Sequence, residues 1–504
     1  MQEIPYVYKS KPYEHQRLCF ERSRDKEHFA ILFEQGAGKS KVVVDTSAYL
    51  YGKGRIDSVV ILAPNNVHKK WVLEDYALSF PDHLTYHAAY WSAGNAKQIK
   101  ECEDLLLPAK SGGLRVLCMN IEALSTAKSK ALEFLLRFLN ATEALLAIDE
   151  SSRIKNPDAI RTKNVLKIAH RAKYRRILSG TYITNNPFDA YSQFNFLDDT
   201  LFPQSFYAFK AEYAEMADKD DFLVQAIMKK TGARFAPQIV KKNKDGTQRW
   251  KNLDKLKAII APHSMRVTKE ECLDLPDKIY SKVIFDLDSK QRKLYEQLRS
   301  DQQAEFGDNR ISVLHKMTLA LRLQQITSGF IPDEDGGMIK IFDKPEDNPR
   351  IAALKQIFED NTGSIIVWCR FKQEIKDILR MIETSFKGEK AVAYYGDIAV
   401  EQRHRNMIEF QEGHARFFIG TAAAGGIGLN LTQASTVVYF SNTFSYEDRK
   451  QSEDRAHRIG QKNNVLYIDL QADDTIDSAI IKALTRKEDL AQYMNNFTNV
   501  NDIA

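Results

Sequence analysis

The sequence predicts an α/β protein made of two tandem parallel-sheet units with helical insertions. Three observations predict it. Short apolar runs of strand length alternate with helical segments in the first part of the chain, and the same alternation returns in the last part. The stretch between them is mostly helical and charged. The length, 504 residues, exceeds what one ordinary core supports and implies two to four domains. Strands that alternate with helices pair in parallel, with helices covering both faces of the sheet.

In the first series, strands are expected at 28–33, 58–63, 114–119, 144–149 and 175–179, with a helix over 41–50. In the second series they are expected at 364–369, 391–395, 415–420, 436–440 and 464–470. Helices over 372–383, 400–412 and 446–458 lie between these. The intervening stretch shows helical apolar spacing at Leu314, Met317, Leu321 and Leu323. Asp333-Glu334-Asp335-Gly336-Gly337 reads as an exposed loop. The expected segmentation is 1–205 for the first unit, 206–265 for a basic insertion, 266–348 for a helical connection and protrusion, 349–487 for the second unit, and 488–504 for a polar tail.

Composition narrows the class. No apolar run approaches the roughly 20 residues that span a bilayer, and residues 1–10 lack the apolar core of a secretory signal. A cytoplasmic protein without membrane contact is expected. The five cysteines, Cys19, Cys102, Cys118, Cys272 and Cys369, are scattered and show no CxxC spacing. Neither a disulfide framework nor a structural zinc is expected. The net charge of +5 is mild for this length. Charge is concentrated instead: 229–251 holds Lys229, Lys230, Arg234, Lys241, Lys242, Lys244, Arg249 and Lys251 against the acid Asp245. Phe235 and Trp250 are interleaved with these cations. Such a segment is either a solvated insertion or an element that grips phosphates by releasing counterions.

The chemistry begins after the first strand, at Gly36-Ala37-Gly38-Lys39-Ser40. Glycines let backbone N–H groups curl around phosphate oxygens, and the following helix start adds positive potential. Lys39 would reach the β- and γ-phosphates of ATP, and the Ser40 hydroxyl would bind Mg²⁺. Phe33 stands where the GxxxxGK[ST] pattern has its first glycine. The apolar strand 144–149 ends in Asp149-Glu150. Parallel strands place such ends at the ligand edge of the sheet. There Asp149 would hold the metal through water and Glu150 would act as general base. Gln16, upstream of the loop, would read the adenine edge with its amide. In the second series, Gln451 opens the run that continues through Arg455 and Arg458. The two arginines are expected three apart on one helical face, as fingers to the γ-phosphate worth about 10³ to 10⁵ in rate.

Together these strings resemble a superfamily-two ATPase of the Swi/Snf type, the group of double-stranded DNA translocases and chromatin remodellers. The resemblance is carried by Pro12-Tyr13 with Gln16, by Glu34 to Ser40, and by Asp149-Glu150-Ser151-Ser152-Arg153-Ile154-Lys155-Asn156, similar to the family's DEAH-RIKN box. It is carried further by the string from Leu178 to Pro187, by Gly420-Thr421 with the run from Gly425 to Leu431, and by Asp454-Arg455-Ala456-His457-Arg458-Ile459-Gly460-Gln461. The last string matches the family's motif VI without a change. The resemblance spans about residues 11 to 485.

It implies two RecA-like lobes, ATP with Mg²⁺ between them, and DNA crossing both, touched mainly at phosphates. Pro64 and Lys69, with Trp71 nearby, lie where the first DNA-contact motif should be. Gly425 and Asn430 of the second lobe would contact DNA or couple it to ATP, and the charge reading of 229–251 adds Lys241 and Lys242 as DNA-contact candidates. Ser152, Thr181 and Asn185 would couple nucleotide to lobe movement. Ser152 replaces the family's histidine, and Tyr182 and Thr184 replace its proline and glutamine. The expected activity is ATP-driven translocation on double-stranded or branched DNA, remodelling replication, recombination or protein-bound intermediates. The alternative is a strand-separating or branch-migrating helicase. A monomer of bacterial or phage type, acting in the bacterial cytoplasm or an infected host, is expected.

Overall fold

The structure, a computed structural model, describes residues 6–65, 67–107, 112–180, 182–183, 186–203, 205–231, 237–243, 248–272, 275–306, 313–333, 337–422 and 429–487. The chain forms two compact units that divide between residues 273 and 274.

The first unit is built on a seven-stranded sheet. Its strands are β1 (His28–Phe33), β2 (Ser58–Ala63), β3 (Tyr86–Tyr90), β4 (Leu114–Asn120), β5 (Ala144–Asp149), β6 (Tyr174–Leu178) and β7 (Ser264–Val267). They run parallel in the order β3-β4-β2-β5-β6-β1-β7. The apolar strands lack a polar alternation because both faces are buried. In β2, Val60 and Leu62 enter one core while Val59 and Ile61 enter the other. The helices Lys130–Asn140, Ile160–Ala169 and Ala190–Leu197 cover the first face; Glu14–Ser23 and Lys39–Gly52 cover the second.

The second unit repeats the plan with β8 (Lys278–Phe285), β11 (Ile365–Cys369), β12 (Ala391–Tyr394), β13 (Phe417–Thr421), β14 (Thr436–Tyr439) and β15 (Val465–Ala472). Its order is β12-β13-β11-β14-β15-β8, again parallel. Ile365 and Val367 of β11 face one core, and Ile366 and Trp368 face the other. A separate antiparallel pair, β9 (Phe330–Pro332) and β10 (Met338–Lys340), flanks the segment read as an exposed loop.

Two expected boundaries move. β7 straddles the expected limit at 265/266 and completes the first sheet beside β1. β8 lies inside the stretch expected to be helical connection, yet pairs along its whole length with β15. Each is too short or too exposed to carry a buried-strand pattern, so only sheet pairing reveals it. Among the described residues, no helix is long and apolar enough to cross a membrane, and no group of metal-binding side chains gathers.

Candidate nucleotide site and motor residues

Register brings the first unit's polar residues to one sheet edge. Asp149 of β5 pairs with Leu178 of β6, and Leu178 pairs with Ile31 of β1. The chain therefore leaves β1 toward the glycine loop, β5 toward Glu150 and β6 toward Gly180 at the same level.

In the loop, Gly36 and Gly38 have φ of 85° and 80°. This left-handed region suits glycine and burdens residues with a Cβ. Gly38 precedes the helix Lys39–Gly52, whose start receives no side-chain cap. The free N–H groups of such a start attract anions. Ala37 is buried, and Ser40 is half-buried at the second helical position. Lys39 is buried, and its Nζ donates to Phe33 O at 3.2 Å.

Gln16 reaches this loop, and both polar atoms of its amide are engaged there. Its Oε1 accepts from Tyr13 N at 2.9 Å, and its Nε2 donates to Gly38 O at 3.3 Å and Ala37 O at 3.5 Å. His15 Nε2 donates to Ala37 O at 2.8 Å. A methyl group on Gly38 would overlap the Gln16 amide. The amide expected to read adenine thus braces the loop.

Asp149 is buried at the end of β5. One carboxylate oxygen accepts from Trp71 Nε1 at 3.0 Å, the other from Glu150 N at 3.0 Å. Burial and the neighbouring Glu150 push the Asp149 carboxyl up to about 6, against the lowering effects of Lys39 and of the Trp71 hydrogen bond. Glu150 adopts φ 55° and ψ 60°, and its Oε1 accepts from Gln35 Nε2 at 3.3 Å. Ser151 Oγ donates to Gln193 Oε1 at 2.6 Å, and Gln193 Nε2 donates to Tyr182 O at 2.6 Å. Ser152 is half-buried; Thr181 and Asn185 lie outside the described residues.

The DNA candidates are dispersed in the first unit. Pro64 is buried, and its carbonyl accepts from Val67 N at 3.0 Å. Lys69 is half-exposed, its ammonium 5.6 Å from the Tyr90 ring centroid. Trp71 opens a π-helical turn, Trp71–Asp75, and is fully buried, so its indole faces Asp149 and not the surface. In the basic insertion, Lys241 Nζ meets Asp218 Oδ2 at 2.7 Å, and Arg249 Nη1 meets Glu215 Oε2 at 3.2 Å. Acids upstream of 229–251 thus fold onto its cations. Lys242 is exposed. Trp250 packs edge-on against Phe188 at 5.1 Å.

In the second unit, the helix holding Gln451 and Arg455 spans Tyr446–Ala456 and stops there. Arg458 is beyond it, so the two arginines do not share a helical face. The reason is tertiary. Gln461 Nε2 donates to Ala456 O at 3.2 Å, Thr432 O at 3.2 Å and Ala434 O at 3.0 Å, turning the chain out of the helix. Gly460 supports this turn with φ 102°. Arg455 is buried, and its carbonyl accepts from Leu431 N at 3.0 Å. Arg458 Nη1 donates to Leu429 O at 2.9 Å. Gln451 is half-buried, with Nε2 donating to Glu447 Oε1 at 3.2 Å. Asn430 is exposed and its carbonyl accepts from Gln411 Nε2 at 2.6 Å; Gly425 lies outside the described residues.

Sequence reasoning missed what anchors this helix. Arg449 is buried against Tyr439, its guanidinium 3.4 Å from the ring centroid. It pairs with Asp469 at 2.6 Å and Glu453 at 2.9 Å. An arginine i to i+4 from a glutamate signals a helical pair, but nothing local reveals the partner on β15.

The SNF2-related domain family matches residues 13–328, and the helicase conserved C-terminal domain matches 349–460. An uncharacterized ATP-dependent helicase of Mycoplasma genitalium is 27% identical over 69% of the chain and 30% of its own length. The ATP-dependent helicase FUN30 of Saccharomyces cerevisiae is 24% identical over 93% of the chain and 45% of its own length. The chain spans about a third to a half of the length of these curated relatives. The Sulfolobus solfataricus SWI2/SNF2 ATPase core in complex with dsDNA is 22% identical, with a TM-score of 0.40 over 99% of this chain and 95% of that one. The chain belongs to the SNF2-related family and carries that family's helicase core, an SNF2-related domain followed by a helicase conserved C-terminal domain.

Proposed function

We propose that this chain hydrolyses ATP in response to double-stranded DNA and uses the energy to move along the duplex. The observation that carries the reading is the common sheet edge: an uncapped helix start and a buried lysine follow β1, an Asp-Glu pair ends β5, and β6 between the two strands holds their ends at one level. A triphosphate fits this chemistry. The positive φ of Gly36 and Gly38 lets the loop curl around an anion, and the buried Lys39 stands at the same loop. Gln16 serves the nucleotide by bracing the loop from behind.

Ser40 and Asp149 supply the oxygen donors that would hold Mg²⁺, the aspartate through water. Bound Mg²⁺ neutralises phosphate charge. Glu150 takes the proton of the attacking water. Arg455 and Arg458 are assigned the positive charge that offsets what develops on the γ-phosphate. Pro64, Lys69, Lys242, Gly425 and Asn430 are assigned to the DNA backbone, with Lys241 contributing once Asp218 releases it. Ser152, Thr181 and Asn185 are assigned to coupling.

The test is ATPase rate with no nucleic acid, single strands, blunt duplex, forks, four-way junctions and RNA, followed by displacement of a third strand from a triplex. Stimulation by blunt duplex and triplex displacement are expected. Stimulation by RNA alone, or displacement confined to forks, overturns the reading.

A further inference from the structure

Gln35 stands inside the phosphate loop, yet the proposed reaction leaves its side chain without a role. That side chain crosses from the end of β1 to the end of β5, where Nε2 donates to Glu150 Oε1 at 3.3 Å. The two residues are 115 positions apart in sequence. Glu150 has a left-handed backbone, φ 55° and ψ 60°, which a residue with a side chain keeps only where its surroundings enforce it. The backbone thus sets the direction of its Cβ, and the Gln35 amide restrains the far end of the same side chain.

A third segment closes on this contact. A Cβ built on Gly180 would lie 3.2 Å from Gln35 N, 3.3 Å from Gln35 Cγ and 3.6 Å from Phe33 O. Any larger residue at 180 presses on Gln35. The loop after β1, the carboxylate after β5 and the turn after β6 therefore meet at one residue, Gln35: Glu150 at its amide and Gly180 at its backbone N and Cγ. The amide is the right chemistry for its place. A cation there would hold the carboxylate but weaken it as a base, and an apolar side chain would leave it to rotate.

We propose that Gln35 is a positioning residue for hydrolysis: its amide holds the Glu150 carboxylate in its productive direction, and Gly180 keeps the space that this requires. The proposal rests on the reading of Glu150 as general base.

The experiment compares steady-state hydrolysis by the full chain with its affinity for a non-hydrolysable ATP analogue, with and without saturating duplex. Gln35→Met is expected to lower kcat about tenfold, the scale of one hydrogen bond to a charged group, while KM and analogue affinity stay within about twofold. Gln35→Glu is expected to lower kcat further near pH 8. Its deficit relative to the parent protein shrinks as pH falls, because the introduced carboxyl, raised by the neighbouring Glu150, gains a proton and becomes a donor. Gly180→Ala is expected to show a smaller loss of the same kind. Retained analogue binding and circular dichroism identify folded variants. Parent-level kcat in Gln35→Met, parallel loss of kcat and analogue affinity, or a pH-independent deficit in Gln35→Glu overturns the proposal. Failure of the underlying reading is distinct: the parent protein hydrolyses no ATP, or Glu150→Gln turns over at the parent rate.

Discussion

In the first unit, β1 enters the helix Lys39–Gly52 through a glycine loop, and no side chain caps the helix start. In the second, β11 enters the helix Lys372–Ser385 through Arg370-Phe371, and Glu374 fills the corresponding place. Its Oε2 accepts from Arg370 N and Phe371 N, each at 3.0 Å, and from Ser441 Oγ at 2.6 Å. The same strand-to-helix connection is therefore finished in two ways. A helix N-terminus favours an anion. One unit leaves that potential open for a ligand, and the other satisfies it with its own buried carboxyl, which burial raises above its usual range. The difference separates the sheet proposed to bind nucleotide from a sheet with the same plan whose corresponding helix start is filled by Glu374.

The strongest way to break this comparison is to disable the open site. Lys39→Ala and Glu150→Gln are expected to lower ATP turnover by about 10² to 10⁴, with analogue binding kept in Glu150→Gln. Parent turnover in either variant removes the catalytic assignment. Next in size are the two helix starts. Gly38→Ala adds a Cβ at φ 80° and displaces Gln16. It is expected to weaken nucleotide binding about tenfold, in line with a left-handed penalty of about 1–2 kcal/mol. Glu374→Ala is expected to destabilise the second unit by about 1–3 kcal/mol in denaturant unfolding, because Phe371 N and the Ser441 hydroxyl lose their acceptor while Arg370 N keeps Ser441 Oγ. Its ATP turnover per folded molecule is expected to stay at the parent value. If Glu374→Ala instead abolishes nucleotide binding without loss of stability, the contrast between the two helix starts fails.

A pH profile sharpens the comparison at the Asp149 end. With its carboxyl at about 6, against 3.8 for the ordinary group, Asp149 gains a proton as pH falls through 6 and loses the charge needed at the metal position. kcat/KM for ATP, which reports the ionisations of the free protein, is expected to fall on that side. Stability follows the opposite sign. A raised carboxyl binds its proton more tightly in the folded state, so this group favours folding at low pH and loses that contribution as pH rises from about 4 to 6. Activity should therefore decline below pH 6 without unfolding caused by Asp149. Trp71→Phe removes the hydrogen bond that lowers this carboxyl, so the acid limb is expected to move upward. An unmoved limb detaches Trp71 from the site.

The smallest effect is expected in the basic insertion. Lys241→Glu with Lys242→Glu should weaken DNA affinity and reduce its salt slope by at most about 2, near 0.9 per phosphate contact, with basal turnover unchanged. Lys241 is already paired with Asp218, so Lys242 should account for most of the change. An unchanged slope removes the insertion from the DNA path.

The glycine loop, the buried strand ending in Asp149-Glu150 and the two series of parallel strands were legible because their signals are local. Glycine spacing, apolar run length and helix period are all contained within a few neighbouring residues. Motif VI was legible as a string, yet the expectation that its arginines share a helical face was not met. Helical period predicts a common face only while the helix continues, and the side chain of Gln461 ends it at Ala456. β7 and β8 escaped for a related reason: an edge strand owes its existence to its neighbour more than to its own pattern.

The order of residues was enough to point to the family and the two-sheet plan and to single out the groups proposed to bind a triphosphate. Folding in three dimensions settled which groups touch. Gln16 braces the loop, Trp71 holds Asp149, Gln35 holds Glu150, and Arg449 anchors the motif VI helix to β15. Each of these contacts joins residues 20 to 115 positions apart. A hydrogen bond acts over about 3 Å, and only the packing of helices and loops on the parallel strands brings such distant residues within that reach.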